Sequence, residues 1–192
     1  MNTLRQRVPF QAAADDVDDT RVVLDDVEQE ELIADLRVRN GETSARTLLV
    51  LDAVLVFSAL LQVVYLLKYS KESPLLALFP LSPSSTPDPD PPIPWPAAFT
   101  LLALALHANL ALRLHPSLEF TALAPLPYAF AYALAGVAPT LSLFLARSWQ
   151  ATLWAAVPAL AVGVAHSVHS TLQEGDEALA ELEALKYRAP GP

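Results

Sequence analysis

The sequence predicts an all-α, polytopic membrane protein built as a four-transmembrane-helix bundle, with short amphipathic helices before and after the bundle. Two observations favour this fold class. Apolar residues make up 53% of the 192-residue chain. They are concentrated in four long stretches, at residues 47–67, 95–114, 120–146 and 149–172. A helix needs about 20 mostly apolar residues to cross a hydrocarbon core of roughly 30 Å, so each stretch is long enough for one crossing.

The segment before the first apolar stretch divides into two parts. Residues 1–25 are predicted to form a disordered acidic tail, because they are polar and lack apolar periodicity. Residues 26–46 are predicted to form an amphipathic juxtamembrane helix and a turn. Leu32, Ile33 and Leu36 give this helix a narrow apolar stripe, which favours the membrane surface or a partner as its contact. A solvated helix that simply leads into the membrane is the alternative.

Residues 47–172 are predicted to form the four-helix transmembrane domain, which starts as a new helix after an interruption at Gly41. A proline-rich loop at residues 82–94 is expected to be extended, because proline fixes φ and lacks an amide hydrogen. The third apolar stretch also contains prolines, which predicts a kink or a re-entrant hairpin whose freed backbone groups are satisfied by neighbouring helices. Residues 173–192 are predicted to form a C-terminal amphipathic helix and tail.

An even number of crossings would bring several polar side chains to one end of the bundle. Asp52 lies about 8 Å inside the first span at 1.5 Å per residue. Ionisable groups within a span usually face the bundle interior and are paired there, which predicts that Asp52 contacts Arg113 or a histidine. The candidate intramembrane polar layer consists of Asp52, His107, Asn109, Arg113, His166 and His169, with His115 just beyond the second span.

The polar layer has a structural and a functional interpretation. Structural ion pairing is favoured over lipid-headgroup binding, and both are favoured over catalysis or a metal site. His166 and His169 are three residues apart on one helical face and could share a metal. However, the chain has no HExxH motif, no glycine-rich phosphate loop and no pair of acids placed for hydrolysis. The sequence therefore predicts no catalytic residue, no metal and no cofactor.

The fourth span carries a packing signal. Small residues recur at every fourth position, which lets helix backbones approach closely in lipid. The sequence predicts close contact with another helix, either within this chain or in another protein. The stripe consists of Ala151, Ala155, Ala159, Gly163 and Ser167, and it continues to Thr171.

Composition narrows the class of partner. The formal net charge is −9, which argues against nucleic acid, because nucleic-acid-binding proteins usually carry a basic patch. The chain has no cysteine, which excludes disulfides and thiolate chemistry. The expected partners are the lipid bilayer and either another membrane protein or further copies of this chain.

The distribution of basic residues predicts the orientation. Six lie on the side of the two termini (Arg37, Arg39, Arg46, Arg113, Lys186 and Arg188), and three lie on the other side (Lys68, Lys71 and Arg147). By the positive-inside rule, both termini are expected in the cytosol. An internal membrane such as the endoplasmic reticulum is the favoured location.

These observations predict a non-enzymatic integral membrane protein that acts as an accessory or assembly subunit of a membrane complex. A large fraction of the chain is expected in the bilayer, and two acidic amphipathic helices would lie on one face of it. The alternative is an oligomeric channel, or a small-solute or lipid carrier, that uses the polar layer as its site. This alternative requires Asp52, Arg113 and His166 to face a common cavity.

Overall fold

The computed structural model of this chain describes residues 26–68, 72–80, 91–115 and 124–185. The predicted tail at 1–25 and most of the proline-rich loop lie outside the described residues. Within those residues the chain forms α-helices and no β-strand, so the predicted all-α class is confirmed. The helices are α1 (Asp26–Leu67), α2 (Pro74–Leu78), α3 (Pro96–Leu114), α4 (Tyr128–Phe144) and α5 (Trp149–Leu185).

Three of the helices, α1, α3 and α5, are long and apolar enough to cross a membrane. The fourth apolar helix, α4, has 17 residues and is about 26 Å long at 1.5 Å per residue, slightly less than a hydrocarbon core of roughly 30 Å. The structure therefore supports an integral membrane protein with three candidate spans. A fourth span remains a prediction.

The outer surface of the long helices is apolar. Large apolar side chains point away from the other helices on each of them, among them Val54, Phe57, Leu60, Val64, Leu101, Phe130, Val137, Leu153, Leu160 and Val164. A soluble protein rarely exposes so large an apolar area. Hydrocarbon solvates such side chains without cost, so this surface agrees with burial in lipid.

The predicted break at Gly41 is absent, because α1 continues from Asp26 to Leu67 as one helix of 42 residues. Glycine inside a helix costs only about 1 kcal/mol relative to alanine, which good helix formers on either side can offset. The predicted helix after the last span is likewise part of α5, which has 37 residues. The amphipathic segments are thus extensions of the spanning helices and not separate helices.

The third apolar stretch becomes helical later than predicted. Residues 124–127 are not helical, and α4 starts at Tyr128 with Pro127 in its N-cap position. Proline disfavours the helical conformation of the residue before it, so Pro125 and Pro127 keep this segment out of the helix. Pro139 is tolerated inside α4.

The four long helices run in alternating directions. On α1 and α3, His107 contacts Ser58, and His115 contacts Asp52, which sets the two helices antiparallel. α4 and α5 are antiparallel as well, as shown by the hydrogen bonds Tyr132–His166 and Ser142–Thr152. The rings of Tyr65 and Trp154 pack together at 5.5 Å between α1 and α5.

Core residues recur at alternating spacings of three and four along the helices, as in left-handed helix packing. In α3 the buried positions include Thr100, Ala103, His107, Leu110 and Leu114. The apolar core is formed by Leu51, Leu55, Leu106, Leu110, Leu114, Ala131, Ala135, Val162 and Ala165. The core lies at the level of Asp52, Asn109 and His166, which are close neighbours in sequence of its residues.

Candidate functional site

The first polar region lies where the middle parts of α1 and α5 meet the end of α3 and the start of α4. Here the Nε2 atom of His115 lies 3.0 and 2.9 Å from the two carboxylate oxygens of Asp52. Both side chains are about one-third exposed. Asp52 thus contacts a histidine, one of the two partners that the sequence predicts.

Asn109 and Arg113 serve the segment that precedes α4. The Asn109 side-chain oxygen accepts a 2.7 Å hydrogen bond from the backbone N–H of Leu126. The Nη1 atom of Arg113 donates a 2.7 Å hydrogen bond to the Leu126 carbonyl oxygen. Two side chains one turn apart on α3 therefore satisfy both polar backbone groups of a residue that its neighbouring prolines exclude from the helix.

An aromatic and cationic stack lies beside that segment. The Arg113 guanidinium carbon is 4.3 Å from the centre of the Tyr128 ring, within the range of a cation–π contact. The His166 ring stacks on the same tyrosine at 4.3 Å, and its Nδ1 atom is 3.2 Å from the Tyr132 hydroxyl. His169 lies further along α5, 5.9 Å from Tyr128.

The predicted layer therefore divides into two groups of contacts. Asp52 pairs with His115, whereas Arg113 and His166 meet at Tyr128. Arg113 and His115 are two residues apart, so they point about 200° apart around α3 at 3.6 residues per turn. The structure does not bring Asp52, Arg113 and His166 to one common contact, as the carrier alternative would require.

His107 belongs to neither group. Its Nδ1 atom is 2.7 Å from the Ala103 carbonyl oxygen, and its Nε2 atom is 2.9 Å from the Ser58 hydroxyl. The side chain is buried, and both ring nitrogens have partners. This is the arrangement of a histidine that links two helices.

No group of three or more His, Asp or Glu side chains among the described residues is placed to hold a metal ion. The polar side chains of this region instead bind one another and orient the helices. The carboxylate of Asp52 and the cationic stack at Tyr128 fix the relative positions of α1, α3, α4 and α5.

The small-residue stripe of α5 faces other helices over only part of its length. Ala151 is buried, Ala155 and Ala159 are partly buried, and Ser167 is exposed. Each step of four residues turns about 40° around the helix, so the stripe rotates by about 160° from Ala151 to Ser167. At Gly163 a Cβ atom would meet the Tyr132 hydroxyl of α4 at 3.9 Å.

Pairing of the α1 and α5 extensions is a feature that the sequence prediction missed. We call residues 26–46 the α1 extension, residues 173–185 the α5 extension, and both together the paired extension. Arg37 forms an ion pair with Glu183, and the Asn40 amide donates a 3.0 Å hydrogen bond to Asp176. The partly buried Ile33 and Leu36 of α1 and Leu179 and Leu182 of α5 were the signal.

A cavity at the opposite end of the helices was also missed. It lies between α1, the starts of α3 and α5, and α4, and it leaves about 50 Å³ of room. Gln62, Ser73 and Thr100 are the buried polar residues among those described on its walls, and Arg147 is the one charged side chain among the described residues that line it. The spacing of Ser58, Gln62 and Tyr65 indicates a polar stripe on the inner face of α1, but it does not predict a cavity.

Comparisons with known proteins give no indication of function, so a functional proposal must rest on the geometry described above. No protein-family model matches the chain. No curated protein and no solved structure is significantly similar to it.

Proposed function

We propose that this protein is a non-enzymatic accessory or assembly subunit of a membrane complex, and that it holds a partner through the paired extension. The observation that carries the proposal is the continuity of α1 and α5 from the apolar body into an acidic antiparallel pair. A helix that continues without a break transmits its position rigidly. The membrane-embedded part would therefore fix the orientation of the paired extension.

Helix length supports a projection beyond the bilayer. At 1.5 Å per residue, α1 is about 63 Å long and α5 about 56 Å, whereas the hydrocarbon core is roughly 30 Å thick. About 33 Å of α1 and about 26 Å of α5 are thus left for the headgroup region and the aqueous phase. The contacts Arg37–Glu183 and Asn40–Asp176 hold the two projecting segments together.

Charge supports a basic partner surface. The paired extension carries eleven acidic residues and three arginines. Glu174, Glu177 and Glu181 form an exposed ridge along one face of α5. Complementary charge on a partner would speed association and fix its orientation.

Apolar and concave features of the paired extension add contact surface. Val27, Leu32 and Val38 are exposed on α1. A cleft of about 250 Å³ lies between the two helices, lined by Arg37, Asn40, Gly41, Asp176, Leu179, Ala180 and Glu183. Apolar anchors within a polar rim are typical of protein interfaces.

We further propose that α4 is a fourth span, that both termini face the cytosol and that the membrane is internal, such as that of the endoplasmic reticulum. The lack of cysteine permits a clean topology test. Glu177→Cys and Lys68→Cys are single-cysteine variants at opposite ends of the helical body. In sealed vesicles with the cytosolic face outward, an impermeant maleimide should label only Glu177→Cys. Labelling of Lys68→Cys alone would reverse the orientation.

The carrier alternative receives less support. It needs Asp52, Arg113 and His166 around one cavity, whereas these side chains lie in two separate groups of contacts. The cavity lined by Gln62, Thr100 and Arg147 lies at the other end of the helices.

The proposal is tested by purification of the tagged protein from its own membranes in a mild, lipid-preserving detergent. Wild-type protein is compared with the double variant Glu177→Lys, Glu181→Lys. Glu72→Lys is the matched control, because Glu72 is exposed before α2, at the other end of the helices. A partner identified by quantitative mass spectrometry should co-purify stoichiometrically with wild type and Glu72→Lys and be depleted at least tenfold in the double variant.

Two results would contradict the proposal. Equal recovery of the partner with wild type and with the double variant would show that the acidic ridge is not part of the interface. Absence of any stoichiometric protein partner from the wild-type preparation would remove the subunit assignment itself.

A further inference from the structure

We propose that the cavity between Gln62, Thr100 and Arg147 binds the anionic group of an amphiphile, a phosphate or a carboxylate. The site lies at the end of the helices opposite the paired extension. It is therefore independent of the proposed docking function. We call it the Arg147 cavity.

Gln62 is the first indication of a bound ligand. Its side chain is only 3% exposed and lines the cavity. It makes no hydrogen bond with another described residue. A largely buried amide is stable only when its polar atoms are hydrogen-bonded, so the cavity must hold a polar group, a water molecule or a ligand, beside Gln62. The four hydrogen-bonding positions of the amide can serve an oxygen-rich ligand.

Arg147 defines the charge of that ligand. It lies in the turn between α4 and α5, and no acidic side chain is among the described residues that line the cavity. Arginine binds carboxylate and phosphate groups through two parallel N–H···O bonds.

The walls indicate that the ligand also has an apolar part. Besides the polar residues, the cavity is lined by aromatic, aliphatic and proline side chains, among them Ile93, Phe99, Trp154 and Pro158. An apolar pocket with a few convergent polar groups is typical of small-molecule sites. An amphiphile satisfies both kinds of surface.

Depth places the cavity near the membrane–water interface. Gln62 is five residues, about 8 Å, from the end of α1 at Leu67. Trp95 and Trp149 are exposed at the starts of α3 and α5, where tryptophans of an interfacial belt would lie. Lipid headgroups lie at this level of a bilayer.

Size limits what enters the cavity. It offers about 50 Å³, and one water needs about 10 to 15 Å³ on this measure, so it holds about three to five water-sized groups. A phosphate or carboxylate fits, and the chains of a lipid would remain outside, along the apolar surface of the helices.

The test is native mass spectrometry of the delipidated full-length protein. The protein is titrated with phosphatidylglycerol, with phosphatidylcholine and, separately, with inorganic phosphate. One phosphatidylglycerol should bind per chain, with phosphatidylcholine binding at least tenfold more weakly. Binding should be roughly tenfold or more weaker in Arg147→Gln, because a charge-assisted hydrogen bond is lost. Lys68→Gln removes a charge near the same end of the helices and should bind as wild type does.

Gln62→Leu supplies a second readout. It should weaken phosphatidylglycerol binding, yet raise the melting temperature of the delipidated protein, because a buried amide without a partner is replaced by an apolar group. This variant keeps the proposal testable if Arg147→Gln does not fold.

The outcomes distinguish the sources of the anion. Displacement of phosphatidylglycerol by millimolar inorganic phosphate would identify a free anion as an equally good ligand. Failure of phosphate to compete would identify the lipid. Equal binding by wild type, Arg147→Gln and Lys68→Gln, or no stoichiometric binding of any probe, would overturn the proposal.

Discussion

The side-chain oxygen of Asn109 accepts a 2.7 Å hydrogen bond from the backbone N–H of Leu126. Leu126 lies between two prolines and outside α4, so this N–H has no partner within a helix. Hydrocarbon supplies none either, and an irregular segment at membrane depth needs polar groups from neighbouring helices. Asn109 and Arg113, two members of the polar layer, therefore stabilise the non-helical segment before α4 through hydrogen bonds to its backbone.

Asn109→Leu is expected to destabilise the protein by about 1 to 3 kcal/mol, the cost of a buried backbone N–H that loses its partner. The measurement is reversible unfolding in mixed micelles of a mild detergent and sodium dodecyl sulfate, followed by circular dichroism. Asn109→Asp is the control. It retains the accepting oxygen and places its charge one turn from Arg113, so it should lose less. Equal losses in both variants would mean that the hydrogen bond contributes little.

Asp52 and His115 are expected to be energetically coupled by about 0.2 to 1 kcal/mol, the range measured for partly exposed ion pairs. The measurement is a double-mutant cycle of Asp52→Asn and His115→Gln in the same unfolding assay. His169→Gln replaces His115→Gln in the control cycle, because His169 contacts Tyr128. That control should show no coupling to Asp52→Asn. If the two cycles give the same value, the pair does not stabilise the fold.

Gly41 and Gly175 are expected to respond oppositely to alanine. At Gly41 an added Cβ would meet nothing within 4 Å, so Gly41→Ala should stabilise α1 by about 1 kcal/mol through helix propensity. At Gly175 the Cβ would lie 3.1 Å from the Asn40 oxygen, and the Asn40–Asp176 hydrogen bond must shift. Gly175→Ala should therefore give no gain. A gain of equal size in both variants would argue against the pairing of the extensions.

The sequence predicted the helices and the end at which the polar residues gather, because apolar length and crossing number determine both. It did not predict where helices continue. Gly41 looks like an interruption in a single sequence, yet each extension is held in place by the other, as Arg37–Glu183 shows. Such a contact joins residues far apart in the chain, and the apolar stripe of each extension indicates a partner helix without identifying it.

The candidate sites likewise include one contact that the sequence predicts and one cavity that it does not. The contact of Asp52 with a histidine could be predicted from depth alone. The Arg147 cavity could not, because it depends on how four helices and the segments before them meet. Small residues at every fourth position of α5 do not stay on one face of the helix. Because the helix has 3.6 residues per turn, the repeat moves around its axis, from the buried Ala151 to the exposed Ser167.

Ala146 ends α4 in a conformation that favours glycine. Its φ is 48°. The Ala146 N–H donates a hydrogen bond to the Leu143 carbonyl, and the Arg147 N–H donates one to the Ser142 carbonyl. This is the Schellman arrangement, in which glycine is the usual residue at the left-handed position. The left-handed conformation costs an L-residue about 1 to 2 kcal/mol. Glycine avoids this cost, but part of the gain is lost because glycine makes the unfolded chain more flexible.

Ala146→Gly is therefore expected to stabilise the protein by about 0.5 to 1 kcal/mol. Ala133→Gly is the matched control, because Ala133 is exposed in the middle of α4, where glycine should cost about 1 kcal/mol. The same chemical change should thus have opposite signs 13 residues apart, as measured by unfolding in mixed micelles. Destabilisation by both variants would show that the chain leaves α4 by another route than the left-handed turn at Ala146.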